Sequence, residues 1–364
     1  MARGHIGLDV GSTAVRAAEV AAGDPPTLVR AAQVPLPTGS VESGEVRNPG
    51  SVAQAIRDLW HRGGYKGKQV TMGVANQRVV VREVTVPALP PKELRESLPF
   101  QVQDLIPIPV EDAVLDFDVL DEFEQEGARM VRLLVVAAQR EMLSRLVESA
   151  QEAGLDPVGI DLVPFALIRA VGGEDGLGLD EADAGGEAIV DIGADVTNIC
   201  VHERGVARFV RILPSAGRDV TTAVAGQLGI TDEEAEAMKR REPFEGAPGE
   251  VVPGEVVPGE VVRSAPEGEA ILRNRVSTLV EEIRSSLDFY RAQTPGAEVT
   301  RVLVTGGGSK MPGVLELLRE RVGTSVEPGH AFGKVQVRLG MDEETRADAE
   351  PLLAVAVGLA LPQT

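Results

Sequence analysis

Two Asp-x-Gly turns lie 182 residues apart in this chain, in Gly7-Leu8-Asp9-Val10-Gly11-Ser12-Thr13 and Val190-Asp191-Ile192-Gly193-Ala194-Asp195-Val196-Thr197. A triple-glycine turn, Val304-Thr305-Gly306-Gly307-Gly308-Ser309, follows the second. Each turn closes an apolar run of strand character. Glycine lets the backbone come close to a phosphate, with N–H groups and hydroxyls turned inward as donors and a nearby carboxylate able to hold a hydrated cation. Two half-sites and a third turn point to a nucleotide held between two lobes.

Composition narrows the partners. At 364 residues the chain has room for two or more cores. The formal net charge of −20 repels nucleic acid and anionic lipid, and no basic patch interleaved with aromatics offsets it, so no nucleic-acid partner is expected. No apolar run reaches the length of a membrane span and the start does not read as a signal peptide, so neither direct membrane insertion nor export is expected. Cys200 is the only cysteine, which excludes an internal disulfide and a cysteine-rich zinc site; it reads as a buried strand residue.

The pattern along the chain is α/β and repeats. After the first turn come strands at Ala14–Val20 and Thr27–Gln33, and then a helix from Ser51 that Gly63-Gly64 stops. A block at 80–161 reads as a small α+β insertion. It holds a strand with one irregular step (Val79, Val81, Val84, Val86), a helix that Pro99 kinks or restarts (Leu94, Leu98, Val102, Leu105, Ile106), and two strands joined by the acidic connection 121–127. It closes with a helix carrying Met142, Leu143, Leu146, Val147 and Ala150.

A glycine-rich stretch at 172–187 reads as a hinge or surface loop, and the strands at 187–192, 198–203 and 206–212 then mirror the opening meander. Thr231-Asp232-Glu233-Glu234 is a capping box, and a long helix is expected from Ala270 to Ala292. Between them Gly-Glu-Val-Val-Pro recurs, with proline at every fifth position, so 244–269 reads as a mobile solvated loop. The small residues Ala354, Ala356, Gly358 and Ala360 fit a helix packed closely against its neighbours.

Taken in order, these motifs resemble the actin-like ATPase superfamily: two phosphate loops, an adenosine loop and a terminal connecting helix. Within it the chain resembles the PilM family, the cytoplasmic actin-like proteins of type IV pilus assembly. That likeness rests on the opening 7–12, Leu98-Pro99-Phe100-Gln101 near Ile106-Pro107 and Asp116, Gly159-Ile160-Asp161, Asp191-Ile192-Gly193-Ala194 ahead of Thr197, and the run Gly229 to Lys239. The resemblance implies two duplicated ribonuclease H-like lobes with an insertion like that of the division protein FtsA. It assigns 1–79, 162–185 and 350–364 to the first lobe, 80–161 to the insertion, 186–222 and 298–349 to the second lobe, and 223–297 to a variable helical part.

The resemblance also implies the roles of the site residues. Gly11, Ser12 and Thr13 meet the phosphates of ATP from one lobe, while Gly193 and Thr197 face them from the other. Asp9 and Asp191 hold Mg²⁺ largely through water. Glu236 and Lys239 lie at the ribose and adenine, Gly217 is a further nucleotide-binding position, and Gly306, Gly307 and Gly308 wall the adenosine. The alternative reading of Glu236 and Lys239 is a surface ion pair. Arg16 stands where the family often has lysine, which keeps the charge and changes the reach. Asp161 matches a position that orients the attacking water in some members, but a strand-end cap explains it as well, so no catalytic residue is assigned and at most slow ATP hydrolysis is expected.

The partner implied is the cytoplasmic N-terminal tail of a PilN-like inner-membrane protein, with PilO-like and pilus motor or platform proteins beyond it. Homo-oligomer formation is left open. Such a protein is cytoplasmic and reaches the inner face of the membrane through its partners. The alternatives are an FtsA-like division protein, which needs an amphipathic C-terminal membrane helix that 354–361 does not resemble, and a small-molecule kinase, which needs a general base in the cleft.

Overall fold

The computed structural model describes residues 4–173, 185–240, 265–294 and 298–362. The expected loop within 172–187 and the Gly-Glu-Val-Val-Pro repeat fall largely outside them. The chain opens with strands β1 (His5–Val10), β2 (Ala14–Ala21) and β3 (Thr27–Pro35), the short hairpin β4 (Val41–Glu42) and β5 (Glu45–Val46), helix α1 (Pro49–Gly63) and β6 (Gln69–Val74). The insertion follows as β7 (Val79–Pro87), α2 (Pro91–Val102), β8 (Ala113–Gln125) and β9 (Ala128–Gln139). Next come α3 (Arg140–Glu152), β10 (Asp156–Leu162) and α4 (Val163–Val171).

The second half holds β11 (Gly186–Ile192), β12 (Thr197–Glu203), β13 (Val206–Leu213), α5 (Gly217–Leu228), α6 (Asp232–Lys239) and α7 (Ala265–Gln293). It ends with β14 (Val299–Thr305), α8 (Val314–Val322), β15 (Ser325–Pro328), β16 (Gln336–Val337) and α9 (Glu343–Ala360).

The duplication seen in the motifs is a duplication of topology. One sheet runs β10-β6-β1-β2-β3-β16 and the other β13-β12-β11-β14-β15. In each, an antiparallel meander is extended on the far side of its first strand by parallel strands, β6 beside β1 and β14 beside β11. Alternation along β1 shows why the sequence takes this form. Ile6 and Leu8 enter a core with Val52, Ile56 and Leu59 of α1, while Gly7 turns to the other face, where α9 lies.

Helices α4 and α9 lie between the two sheets. Their core includes Ala18, Val20 and Leu28 from the first sheet and Ile189, Cys200 and Leu303 from the second. Close approach is built in at two glycines. A Cβ on Gly7 would run into the Ala356 carbonyl, and one on Gly358 into the Ala166 carbonyl. The small-residue stripe of α9 is therefore in backbone contact on both sides.

The structure revises several expectations. Strand β7 pairs with β9 without a bulge; its irregular apolar pattern arises because Val79 faces a core shared with Met142 and Leu143, while Val84 and Val86 face the core of α2. Helix α2 continues through Pro99 and ends at Val102, so Leu105 leaves the apolar face and is exposed. The acidic connection is mostly strand: β8 runs to Gln125, and the turn is Glu126-Gly127, both at positive φ.

Helix α3 and β10, assigned to the insertion by the 80–161 boundary, belong to the first lobe. Leu146 and Ala150 of α3 pack with α1, and β10 pairs with β6. Strand β16 pairs with β3 although it lies in the stretch assigned to the second lobe. Helix α7 starts at Ala265, inside the expected loop, and α9 starts at Glu343, capped by Asp342.

Candidate functional site

The two Asp-x-Gly turns fold alike at the ends of equivalent strands. The Gly11 N–H donates to the Ala14 carbonyl at 3.1 Å, and the Gly193 N–H to the Val196 carbonyl at 3.0 Å. The antiparallel ladders set Asp9 opposite Arg16 and Asp191 opposite Asn198. Arg16 Nη1 lies 3.5 Å from Asp9 Oδ2, and Asn198 Nδ2 donates to Asp191 Oδ2 at 2.9 Å. Asn198 lies outside the motifs, although its signal is present: it follows Asp191 at the same spacing at which Arg16 follows Asp9.

Burial raises both carboxyls. For Asp9 it outweighs the opposing pull of Arg16. For Asp191 burial is again the largest cause; the Asn198 hydrogen bond and the Arg16 charge work against it, the Asp9 charge adds to it, and the carboxyl stands at about 6. The Asp9 charge thus acts on Asp191 across the lobes, as does the guanidinium of Arg16, which pairs with Asp9 and whose Nε is buried without a hydrogen-bond partner. Such a site favours an added cation. Among the described residues no group of three or more metal-ligating side chains converges, so a cation here would complete its shell with water and ligand oxygens.

The remaining expected residues fall around this pair. Ser12 is buried and Thr13 exposed beside Gly11. Thr197 is fully buried and its hydroxyl donates to the Ser215 carbonyl at 2.7 Å, so its side chain braces the second turn. Gly217 opens α5 and donates its N–H to the Gly193 carbonyl at 3.2 Å, which seats that helix on the second Asp-x-Gly turn. Lys239 reaches back from α6 to the Gly217 carbonyl at 2.9 Å, to Thr221 Oγ1 at 2.7 Å and to Glu236 at 2.6 Å.

Burial alone would raise the Glu236 carboxyl, but hydrogen bonds from Lys239 and Thr221 hold it below its ordinary value. Burial lowers the Lys239 ammonium despite the Glu236 partner. The pair is therefore a packed network at the start of α5 rather than a solvated surface pair. Thr221, one turn into α5, is the member that motif reading overlooks.

The triple glycine divides by role. Gly306 has φ +86°, and a Cβ there would strike Asp191 Oδ1 and the Ile192 carbonyl. A Cβ on Gly308 would strike the Ile192 side chain, so both glycines exist to pack the turn against the end of β11. Gly307 alone of the three is exposed. Pro351 of α9 anchors the turn by accepting the Gly306 N–H at 3.2 Å. Asp161 pairs with Arg169 through one oxygen and accepts the Leu162 N–H at 2.8 Å through the other. That is the strand-end cap.

The chain resembles known proteins over most of its length. The model of the family described as "Type IV pilus assembly protein PilM" matches residues 7–250, and that of "Cell division protein FtsA" matches 188–358. A solved PilM-PilN type IV pilus biogenesis complex superposes with a TM-score of 0.80 at 29% identity, covering 98% of this chain and 97% of that chain. FtsA of Bacillus subtilis (strain 168) is 22% identical over 317 residues, 78% of this chain and 69% of its own. MreB 5 of Spiroplasma citri bound to AMPPNP has a TM-score of 0.54 at 13% identity, over 98% of this chain and 95% of that chain, a likeness of fold. The architecture is the two-lobed actin-like ATPase fold, and with its model matched over more than half the length, the chain belongs to the PilM family of type IV pilus assembly proteins.

Proposed function

We propose that this protein is an ATP-binding scaffold of the type IV pilus inner-membrane platform, in which nucleotide sets the shape that receives the cytoplasmic N-terminal tail of a PilN-like membrane protein. The observation that carries the nucleotide reading is the pair of like-folded Asp-x-Gly turns at the ends of equivalent strands, with Asp9 and Asp191 both raised by burial and Arg16 beside Asp9. Asp9 and Asp191 would hold Mg²⁺ through water, and the ion would neutralise phosphate charge. The residues present fit that role, because the site is short of positive charge. Arg16 lies beside Asp9 as a second phosphate partner, and the start of α5, backed by Lys239 and Glu236, lies against the second phosphate turn.

The partner reading is supported by family membership and by the likeness to a PilM-PilN complex. Among the described residues no helix is long and apolar enough to cross a membrane, which fits recruitment to the inner face through that partner. This reading needs at most slow hydrolysis. Nucleotide acts as a conformational ligand that stabilises one lobe arrangement.

ATP with Mg²⁺ is expected to raise the melting temperature, and Asp9→Ala to abolish the rise. An unchanged response in the variant removes the nucleotide from that turn. A synthetic PilN-like N-terminal tail is expected to bind with a Kd of about 1 µM or tighter in calorimetry, with affinity that shifts when ATP is present. Absence of tail binding together with phosphorylation of a sugar would favour a kinase on the same fold.

A further inference from the structure

A short run of contacts joins the second phosphate turn to the root of the insertion. The Asp195 carboxylate lies 2.8 Å from Arg218 Nε on its own lobe and accepts the Ser43 N–H of the other lobe at 3.0 Å. Ser43 and Gly44 form the turn of the β4–β5 hairpin, with φ +50° and +76°. A Cβ on Gly44 would run into the Ala75 carbonyl, so the turn lies flush on Ala75-Asn76.

Asn76 sits between β6 and β7 and is 3% exposed. Its amide donates to the Ser43 carbonyl, its Oδ1 accepts the Arg78 N–H at 2.7 Å, and its own carbonyl accepts the Val79 N–H at 3.0 Å. Arg78 leads into β7, and its guanidinium reaches Gln139, the last residue of β9, at 3.1 Å. It also lies 2.9 Å from Glu45 on the hairpin, a buried carboxylate that Arg47 meets at 2.7 Å. The hairpin therefore holds the phosphate turn at one end and, at the other, both strands by which the insertion leaves and rejoins the first lobe.

We infer that the Ser43-Gly44 hairpin is a relay, with Asp195 and Asn76 as positioning residues that couple the state of the cleft to the setting of the inserted subdomain. This rests on the nucleotide reading of the cleft. The Ser43–Asp195 bond is charge-assisted and crosses between lobes, so a phosphate that draws the 193–196 turn inward pulls the hairpin with it. Left-handed backbone at both turn residues leaves the hairpin little slack, and the buried Asn76 amide passes the displacement to the start of β7. A contiguous hydrogen-bonded path of this kind is a claim of coupling and is tested as one.

The test is amide hydrogen exchange on the full chain with and without ATP and Mg²⁺, beside a nucleotide titration. In the unaltered protein ATP is expected to slow exchange at 41–46, 76–80 and 136–139 by about tenfold. Asn76→Ala is expected to bind ATP within about threefold of the unaltered protein and to lose the response at 76–80 and 136–139. Asp195→Asn, which keeps an acceptor and loses the charge, is expected to retain part of that response, and it carries the test should Asn76→Ala fail to fold.

A full response at the root in both variants overturns the relay. So does an unaltered protein that binds ATP while its insertion root stays unchanged. Failure of the unaltered protein to bind ATP overturns the cleft reading itself, and the relay with it.

Discussion

Asp191→Asn is expected to make the nucleotide-free protein more stable near neutral pH and to leave it unresponsive to ATP. The Asp191 carboxyl rises from an ordinary 3.8 to about 6 in the fold, first because of burial. Between those two values the folded state holds the proton more tightly than the unfolded chain. Its stabilising contribution is therefore full at low pH and is lost as pH rises through about 6. At neutral pH the charged side chain costs stability on the order of 2–3 kcal/mol, which asparagine does not incur. Asn198 can still donate to the amide oxygen of the replacement, so the hydrogen bond survives.

Chemical denaturation at several pH values, with and without ATP and Mg²⁺, checks this. The variant should show a flatter dependence over roughly pH 4–7 and no stabilisation by ligand. In the unaltered protein, ATP affinity in the presence of Mg²⁺ should weaken as pH falls below about 6, because a protonated Asp191 no longer attracts the cation. A variant less stable than its parent at neutral pH would mean that Arg16 already compensates the Asp191 charge.

The second large effect lies away from the cleft. Gly358→Val is expected to cost on the order of 3 kcal/mol or more and to leave little soluble protein, since its Cβ would meet the Ala166 carbonyl on a backbone that cannot retreat. On the opposite side α9 is pressed against β1 at Gly7, so the helix has no room to shift away. Gly226→Ala in α5 is the matched control. Nothing lies within 4 Å of that Cβ, and the alanine should stabilise by about 0.5–1 kcal/mol through helix propensity. Equal losses at both glycines would show that α9 is not wedged as described.

Local signals made much of this architecture legible. Glycine turns at strand ends, the Thr231 capping box and the apolar stripe of α7 each depend on residues near one another in sequence, and each appears in the structure. Less legible was which core a residue serves. The valines of β7 serve two different cores because Val79 and Val81 lie on one face of the strand and Val80, Val84 and Val86 on the other, and the apolar pattern does not tell which core each face meets. Pairing of β10 with β6 across the whole insertion is equally invisible to a local pattern.

At the candidate site, the Asp-x-Gly turns brought out Asp9 and Asp191, and the family resemblance added Gly217. It did not distinguish the packing glycines 306 and 308 from the exposed Gly307, nor show that Lys239 folds back onto α5. Both depend on what lies across a contact. Asn198 was within reach of sequence reasoning, had the spacing between Asp9 and Arg16 been carried over to the second lobe.

The contact between Gly7 and α9 also bears on how the protein is made. Strand β1 is separated by most of the sequence from the residues that pack on its Gly7, around Ala356 and Leu359 of α9. An emerging chain can assemble the α1 side of that sheet early, but the other side, even with α4 in place, lacks its α9 cover until α9 has been translated. Contacts of such long sequence separation form slowly, and apolar sheet surface exposed meanwhile is prone to aggregate. A ribosome stalled before residue 343 would therefore release a first lobe with an open face, a substrate for chaperones and proteases.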